Sequence, residues 1–440
     1  MKPLIAGLMA LLASLWAWAL LDATTPPEAH PAWYWRQEGL NLSGLMAIML
    51  MSLSMYLATR PRWLEGPLGG MDRVYRTHKW AGLLSGGWAL THWLIEMSDD
   101  VLKAWIGRQG RLPREHLGGV LDALRDLGKD LGEWAIYALL AMLLITLWQR
   151  VPYRYWRSVH RGMPLIYLML AAHAALLAPT AYWTQALGGC MAFVLLAGTY
   201  GALVALFGRI GSPQVHAGLV TAVVPRAQGV MQVRCQMQDD WPGHQPGQFA
   251  WVRFDDAEGA HPFTLAAADR SDGSLTFEIK ALGEYTAALS QRLKPGQPVR
   301  IEGPYGRFVL RRVNPDRAQC WVAGGIGITP FLAWLEALPN SGLRLPAVVL
   351  HYAIRSRASD PLLSRVQALC AALPNVDLQV HASDDPDESA WLSRVGEQGD
   401  GQKSEVWFCG PQGLADRLHA ALAASGKTPA AFHQEAFRLR

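Results

Sequence analysis

The chain falls into two halves with different hydrophobic patterning. Through about residue 210, runs of Leu, Ala, Met and Trp recur in six segments, 4–21, 39–58, 79–97, 133–149, 161–178 and 186–207. Each is near the ~20 residues that a helix needs to cross a hydrocarbon core. Beyond residue 211 the pattern shortens to β-type runs punctuated by glycine and proline. QVHAGLVTAVV, VMQVRCQM, QFAWVRF, LTFEIKAL and VRIEGPYG are five candidate strands, interrupted by one short helix over 285–293. They predict a small antiparallel β-barrel. From Gln319 strands and helices alternate: CWVAGG, a helix over 330–338, AVVLHYA, a helix over 361–372, VDLQVHA, EVWFCG and a helix over 412–424. That alternation predicts an α/β domain with a parallel sheet covered by helices. The expected architecture is a multi-domain membrane protein: a six-helix transmembrane bundle over 1–211, a β-barrel over 212–315 and an α/β domain over 316–440.

Charge orients this arrangement. The mean hydropathy of +0.09 conceals the split between the halves. The net charge of +4 includes no long basic run, which argues against a nucleic-acid partner. Arg60, Arg62, Arg73, Arg76 and Lys79 lie between the second and third segments, and Arg150, Arg154, Arg157 and Arg161 between the fourth and fifth. By the positive-inside rule both loops are cytoplasmic, and so are the N-terminus and everything beyond residue 211. The expected location is the plasma membrane, in a bacterium the inner one. Lys2 and the Ala17–Ala19 pattern also fit a signal peptide, but the apolar run is long for one and favours an uncleaved helix. Residues 98–132 read as an outer loop in which LGGVLDALRDLGKDLG is either a short amphipathic helix on the membrane surface or a solvated loop.

The chemistry of the first half lies in four histidines. His78 and His92 sit in MDRVYRTHKWAGLLSGGWALTHW. Their fourteen-residue spacing puts them within about 40° of one helix face and roughly 21 Å apart. Gly82, Ser85 and Ala89 between them are small, leaving room for something flat. His160 and His173 form a second pair at nearly the same spacing. One intramembrane histidine can simply bond to a neighbouring helix, but four, paired at matching depth, are what two bis-histidine haems require. In the topology above, His78 faces His160 near the cytoplasm and His92 faces His173 near the outer surface. Thirteen residues on an ideal helix set His160 and His173 about 140° apart. A break near Pro164 is therefore expected, with His160 at the frayed or bent entrance of its helix.

In the second half GGIGITP follows a strand and opens a helix. Gly324, Gly325 and Gly327 let the main chain approach a pyrophosphate, Thr329 is placed to cap the helix, and Pro330 suits its first turn. The five cysteines, Cys190, Cys235, Cys320, Cys370 and Cys409, have no paired spacing, so neither an iron–sulfur cluster nor a disulfide framework is expected.

HPFT at His261–Thr264, GPYGRF at Gly303–Phe308, GGIGITP at Gly324–Pro330 and FCGP at Phe408–Pro411 occur in that order, beside the two histidine pairs. The ordered set resembles the ferric reductase and NADPH oxidase superfamily of transmembrane flavocytochromes, which have a ferredoxin-reductase-type cytoplasmic part. The resemblance implies that the barrel binds FAD, with His261, Pro262 and Phe263 lining the cofactor and Thr264 near the flavin N5. It implies that Lys280, Tyr285 and Thr286 lie near the pyrophosphate, and that Cys409, with Gly410 and Pro411, lies beside the nicotinamide. Family members often carry serine after HPFT; this chain has Leu265, Ala266, Ala267 and Ala268. The family's terminal Glu-x-Phe maps to Glu435 and Phe437, with Phe437 stacking on the flavin, although Arg438, Leu439 and Arg440 follow it. Arg355 and Arg357 are placed to bind a ribose 2′-phosphate, favouring NADPH over NADH.

The expected function is transmembrane electron transfer from cytoplasmic NADPH through FAD and two b-type haems, held by His78/His160 and His92/His173. The acceptor at the outer face is dioxygen, giving superoxide, or a ferric chelate. Two alternatives stand beside it: a haem relay to a separate outer-face protein partner, and a membrane-anchored NAD(P)H:flavin reductase without haem. His30 and His116 are candidate outer metal ligands or solvated loop residues. Trp88 and Tyr167 lie between the pairs, as bridges or as packing.

Overall fold

Apolar composition carries the first half into long helices. The structure, a computed structural model, describes residues 2–22, 29–113, 115–148, 150–254, 259–384, 390–395, 404–424 and 429–435. It divides into two compact units, one of Met1–Leu68 with Arg73–Ile210 and one of Gly69–Asp72 with Gly211–Arg440. The first contains helices α1 (Lys2–Asp22), α2 (Pro31–Ala58), α3 (Arg62–Leu68), α4 (Met71–Ile106), α5 (Gly119–Leu147), α6 (Tyr153–His160), α7 (Met163–Leu177) and α8 (Ala186–Leu206). Among the described residues α1, α2, α5 and α8 are long and apolar enough to cross a membrane. α4 is longer but more polar, and α7 has only 15 residues.

The expected surface helix in the 98–132 loop is not separate. α4 runs on to Ile106, and LGGVLDALRDLGKDLG supplies the first turns of α5 from Gly119. The stretch from Gly119 contains no proline, and α5 runs unbroken through Gly128 and Gly132 into the apolar run. Glycine sets how closely the helices approach. A Cβ on Gly201 of α8 would lie 2.5 Å from the Met55 carbonyl oxygen, and one on Gly198 would lie 2.8 Å from Ser52 Cα. These contacts bring the α2 and α8 backbones together. Tyr167, fully buried on α7, shares a 2.9 Å hydrogen bond with Ser52 and donates to the Leu195 carbonyl at 3.2 Å. It fastens three helices.

The second unit begins with a six-stranded antiparallel sheet, β1 (Val215–Pro225), β2 (Val230–Met237), β3 (Phe249–Arg253), β4 (His261–Thr264), β5 (Ser274–Lys280) and β6 (Pro298–Tyr305). Its order is β4-β3-β6-β1-β2-β5, and a bridge from Leu265 to Phe277 nearly closes it into a barrel. HPFT is the sixth strand, beyond the five the pattern predicts; four residues containing a proline are too short to show a period. Helix α9 (Glu284–Arg292) follows β5. The α/β domain has five parallel strands, β7 (Gln319–Gly324), β8 (Val348–Ile354), β9 (Val376–Ala382), β10 (Glu405–Cys409) and β11 (Ala431–Glu435), in the order β11-β10-β7-β8-β9. Helices α10 (Thr329–Ala337), α11 (Leu363–Ala371) and α12 (Gln412–Ala424) connect them.

Barrel and α/β domain meet through a buried aromatic cluster. Phe308 stacks on Trp334 with centroids 5.0 Å apart and meets Trp407 edge-on at 5.1 Å. Trp334 Nε1 donates to the Pro246 carbonyl at 2.9 Å, so its polar atom is satisfied in the core. Beside the cluster the buried Glu278 carboxylate accepts from Arg365 at 3.1 Å and Gln232 at 2.7 Å, with Arg226 at 3.5 Å. Arg365 also pairs with Glu336 and reaches the Ala266 carbonyl. The chain just after HPFT is thereby tied to α10 and α11.

Candidate functional site

The four histidines meet in the two expected pairs. His78 and His92 project from α4, His160 closes α6 and His173 lies on α7. The His78 and His160 ring centres are 6.3 Å apart with planes at 83°; those of His92 and His173 are 6.2 Å apart at 88°. The break after His160 is present, made by ending α6 and restarting α7 at Met163; Pro164 sits in the first turn of α7 and does not kink a continuous helix. Three rings are held through Nδ1 by main-chain carbonyls: His78 by Ser54 at 2.8 Å, His92 by Leu40 at 3.0 Å and His173 by Gly128 at 2.9 Å. Such a bond leaves Nε2, on the far edge of the ring, free to ligate a metal and makes it a better donor. A Cβ on Gly132 would lie 2.5 Å from His173 Cε1, so only glycine admits that ring.

The small face of α4 has a different use from the expected one. Ser85 is buried and donates to the Ala47 carbonyl at 2.8 Å, and a Cβ on Gly82 would lie 3.6 Å from Ser54 Oγ. Those residues face α2. His30 and His116 also have local partners: His30 Nδ1 accepts from the Ala32 N–H at the start of α2, and His116 Nδ1 lies 3.5 Å from Asp122.

In the second unit the site is built mainly from main chain. β7 ends at Gly324, and Gly325–Ile328 form a single tight turn that runs into α10. Thr329 does not cap this helix: it already lies inside it and its hydroxyl donates back to the Ile326 carbonyl at 3.0 Å. Because the tight turn continues into the helix, the start of the helical run lies nearer the glycines. A Cβ on Gly327 would lie 2.6 Å from the Cys409 carbonyl carbon, and one on Gly324 would lie 2.7 Å from Pro411 Cδ. The GGIG and CGP turns therefore touch, at the C-terminal ends of adjacent parallel strands where α/β sheets bind ligands. Lys280, at the end of β5, brings its ammonium within 4.0 Å of the Gly325 Cβ position.

His261 of β4 stacks on Tyr285 of α9 with centroids 3.8 Å apart, which joins two expected flavin contacts. Thr264 is buried, and its Oγ1 has no hydrogen-bond partner among the described residues. The Thr286 hydroxyl accepts from the Leu282 and Gly283 N–H groups, at 2.9 and 3.1 Å, and so caps α9. Cys409 is wholly buried, and burial, with Glu435 nearby, pushes its thiol well above the usual range. Arg355 is exposed beyond β8, whereas Arg357 turns to the Val380 carbonyl on β9. Phe437 lies outside the described residues.

Two stretches of the chain match family models: residues 43–171 match the ferric reductase like transmembrane component, and residues 217–309 match an FAD-binding domain. The chain belongs to the ferric reductase and NADPH oxidase-like flavocytochrome superfamily. It is 28% identical over 239 residues to the ferredoxin–NAD(P)(+) reductase component of the naphthalene 1,2-dioxygenase/salicylate 5-hydroxylase systems of a Ralstonia species, covering 50% of this chain and 68% of that protein. An NADPH oxidoreductase of Mycobacterium tuberculosis is 30% identical over 199 residues, 42% of this chain, and this chain spans only 50% of that relative's length. Among solved structures, a flavohemoglobin from Malassezia yamatoensis has a TM-score of 0.50 at 16% identity, covering 91% of this chain and 97% of that one, a likeness of fold alone.

Membership in this superfamily implies haem, and the histidines fit it. A ring centre lies about 1.1 Å from its nitrogen and a first-row metal–imidazole bond is about 2.0–2.1 Å, so two imidazoles on one metal have centres about 6.3 Å apart. Both pairs match that separation. The orphaned Thr264 hydroxyl, the His261–Tyr285 stack and Lys280 beside the glycine turn likewise fit FAD and NAD(P)H.

Several features of these sites had no period or motif to reveal them. Gly132 and the Arg365–Glu278 network depend on contacts distant in sequence. Trp156, stacked on His160, could have been found from its i, i+4 spacing.

Proposed function

We propose that this chain is an NADPH-dependent transmembrane oxidoreductase. Electrons pass from NADPH at the cytoplasmic face, through FAD and two bis-histidine b-type haems, to dioxygen or ferric iron at the outer face. The observation that carries the reading is the pair of matched ring separations, 6.3 and 6.2 Å, assembled from three separate helices. When bound, FAD would supply the conversion of a two-electron hydride into single electrons, the form in which haem iron would take them.

The chain's own groups bind and orient. The GGIG turn offers close-packed main chain and the start of α10 to the dinucleotide phosphates, and Lys280 adds a cation there. Thr264, buried on β4 with an unpaired hydroxyl, would offer that group to the flavin. Cys409 contributes its place in the wall, since its thiol is buried and protonated. His78 with His160 holds the inner haem, and His92 with His173 the outer one. With two imidazoles on each iron, a bound haem would have no open site on its metal, so an acceptor would take electrons without binding the iron. Arg355 is the better-placed of the two arginines for a 2′-phosphate, because Arg357 is engaged with β9.

The test is a dithionite-reduced minus oxidised spectrum of the detergent-purified chain, with haem and flavin counted per chain. Two low-spin haems and one FAD are expected, with one haem lost in His78→Ala and the other in His173→Ala. Flavin without haem after full haem supplementation would leave a membrane-anchored NAD(P)H:flavin reductase instead.

A further inference from the structure

The two histidine pairs are matched in separation but not in how their rings are held. His160 alone lacks the carbonyl anchor: its buried Nδ1 has no hydrogen-bond partner among the described residues. It is also the last residue of an eight-residue helix, after which the chain breaks. A helix that short has little intrinsic rigidity. Its ring therefore needs another support. Trp156, one turn earlier on α6, lies face to face with it, with centroids 4.8 Å apart and planes 18° apart. The indole is itself held, because Nε1 donates to Thr146 Oγ1 on α5 at 3.2 Å. That hydroxyl has its own proton directed to the Met142 carbonyl, leaving a lone pair for the indole.

We propose that Trp156 is a positioning residue for the His160 ligand, fixing by stacking the ring plane that a main-chain carbonyl fixes for the other three. The inference rests on the haem reading above. A ring that donates Nδ1–H to a carbonyl is a more basic metal ligand. The His92/His173 pair has two such rings and the His78/His160 pair has one. The two haems are therefore distinguishable, and the His78/His160 haem is the one sensitive to position 156.

The experiment uses the full-length chain in detergent, comparing wild type with Trp156→Leu, Trp156→Phe and Thr146→Val. Haem and FAD per chain, the electron paramagnetic resonance signals of the low-spin ferric haems and their midpoint potentials are read, with His78→Ala assigning the signals. In Trp156→Leu the His78/His160 signal is lost or shifted, while the His92/His173 signal and the FAD content stay at wild-type values. Trp156→Phe retains the signal, and Thr146→Val shifts it less, in the same direction as the leucine variant. Two unchanged signals and potentials in Trp156→Leu overturn the proposal. Should that variant fail to insert, an unchanged His78/His160 signal in Thr146→Val overturns it equally. A wild-type chain that takes up no haem contradicts the haem reading itself, and this inference with it.

Discussion

On the proposed reading, the membrane unit and the reductase unit hold a large cofactor in opposite ways. In the first, four side chains on three helices would do the holding, and at that site glycine clears space for a ring, as Gly132 does for His173. In the second, side chains matter less. The GGIG and CGP turns touch through their own main chain, and glycine serves to let two backbones meet. The lesson is that the glycine at each site fails differently: replacing Gly132 displaces the His173 ring, and replacing Gly327 separates two turns.

The largest effect expected from this contrast is at Gly132. Gly132→Val forces the His173 ring aside, and haem per chain falls by about half while FAD content is retained. Full haem occupancy in this variant would break the comparison at its root. Next comes Gly327→Ala, whose Cβ would press on the Cys409 peptide. Flavin reduction by NADPH falls by at least about tenfold in kcat/KM, equivalent to about 1.4 kcal/mol, with both haems and FAD unchanged. Stopped-flow flavin bleaching measures it.

A third prediction sharpens the contrast through pH. His351 is buried against His381 and Trp391. Burial, followed by the nearby His381, holds it at about 4. The unfolded chain takes up this proton below about pH 6.5 and the folded chain does not. The reductase unit is therefore least affected above pH 6.5 and loses up to about 3 kcal/mol as pH falls from 6.5 toward 4. Thermal unfolding against pH should show that slope, and His351→Gln should flatten it.

The smallest effect is at Cys409. Its thiol is fully buried with its pKa pushed upward. Iodoacetamide leaves it unmodified in the folded chain and labels it on denaturation. Rapid labelling of the native protein would mean that the strand end opens to solvent.

Much of this was legible in the order of residues. The change from long apolar runs to short strands is a difference of period, and it separates the two halves by itself. The His160–His173 spacing cannot place both rings on one face of an ideal helix and so requires a helix break. What stayed hidden was hidden for physical reasons. HPFT is too short to display alternation, and β11 was visible only as part of a terminal motif. The surface helix in the 98–132 loop merged into α5 because amphipathic and apolar helix share one backbone conformation and nothing between them stops it. Thr329 looked like a cap because a capping residue and a first-turn residue have the same composition; only the tight turn at Gly325–Ile328 shows that the helix has already begun. Small residues admit a neighbouring helix as readily as a flat ligand, so the small face of α4 suggests a cofactor in sequence and meets α2 in the structure.

The central claim is that electrons cross the membrane through this one chain, and vesicles test it most directly. The purified chain is reconstituted into liposomes that enclose an electron acceptor too polar to cross, such as ferric citrate. NADPH is then added outside, reaching only those chains whose reductase unit faces outward. The account predicts reduction of the enclosed acceptor, abolished by His78→Ala and by His173→Ala. Reduction of external acceptors alone, at a rate indifferent to the histidines, would contradict it.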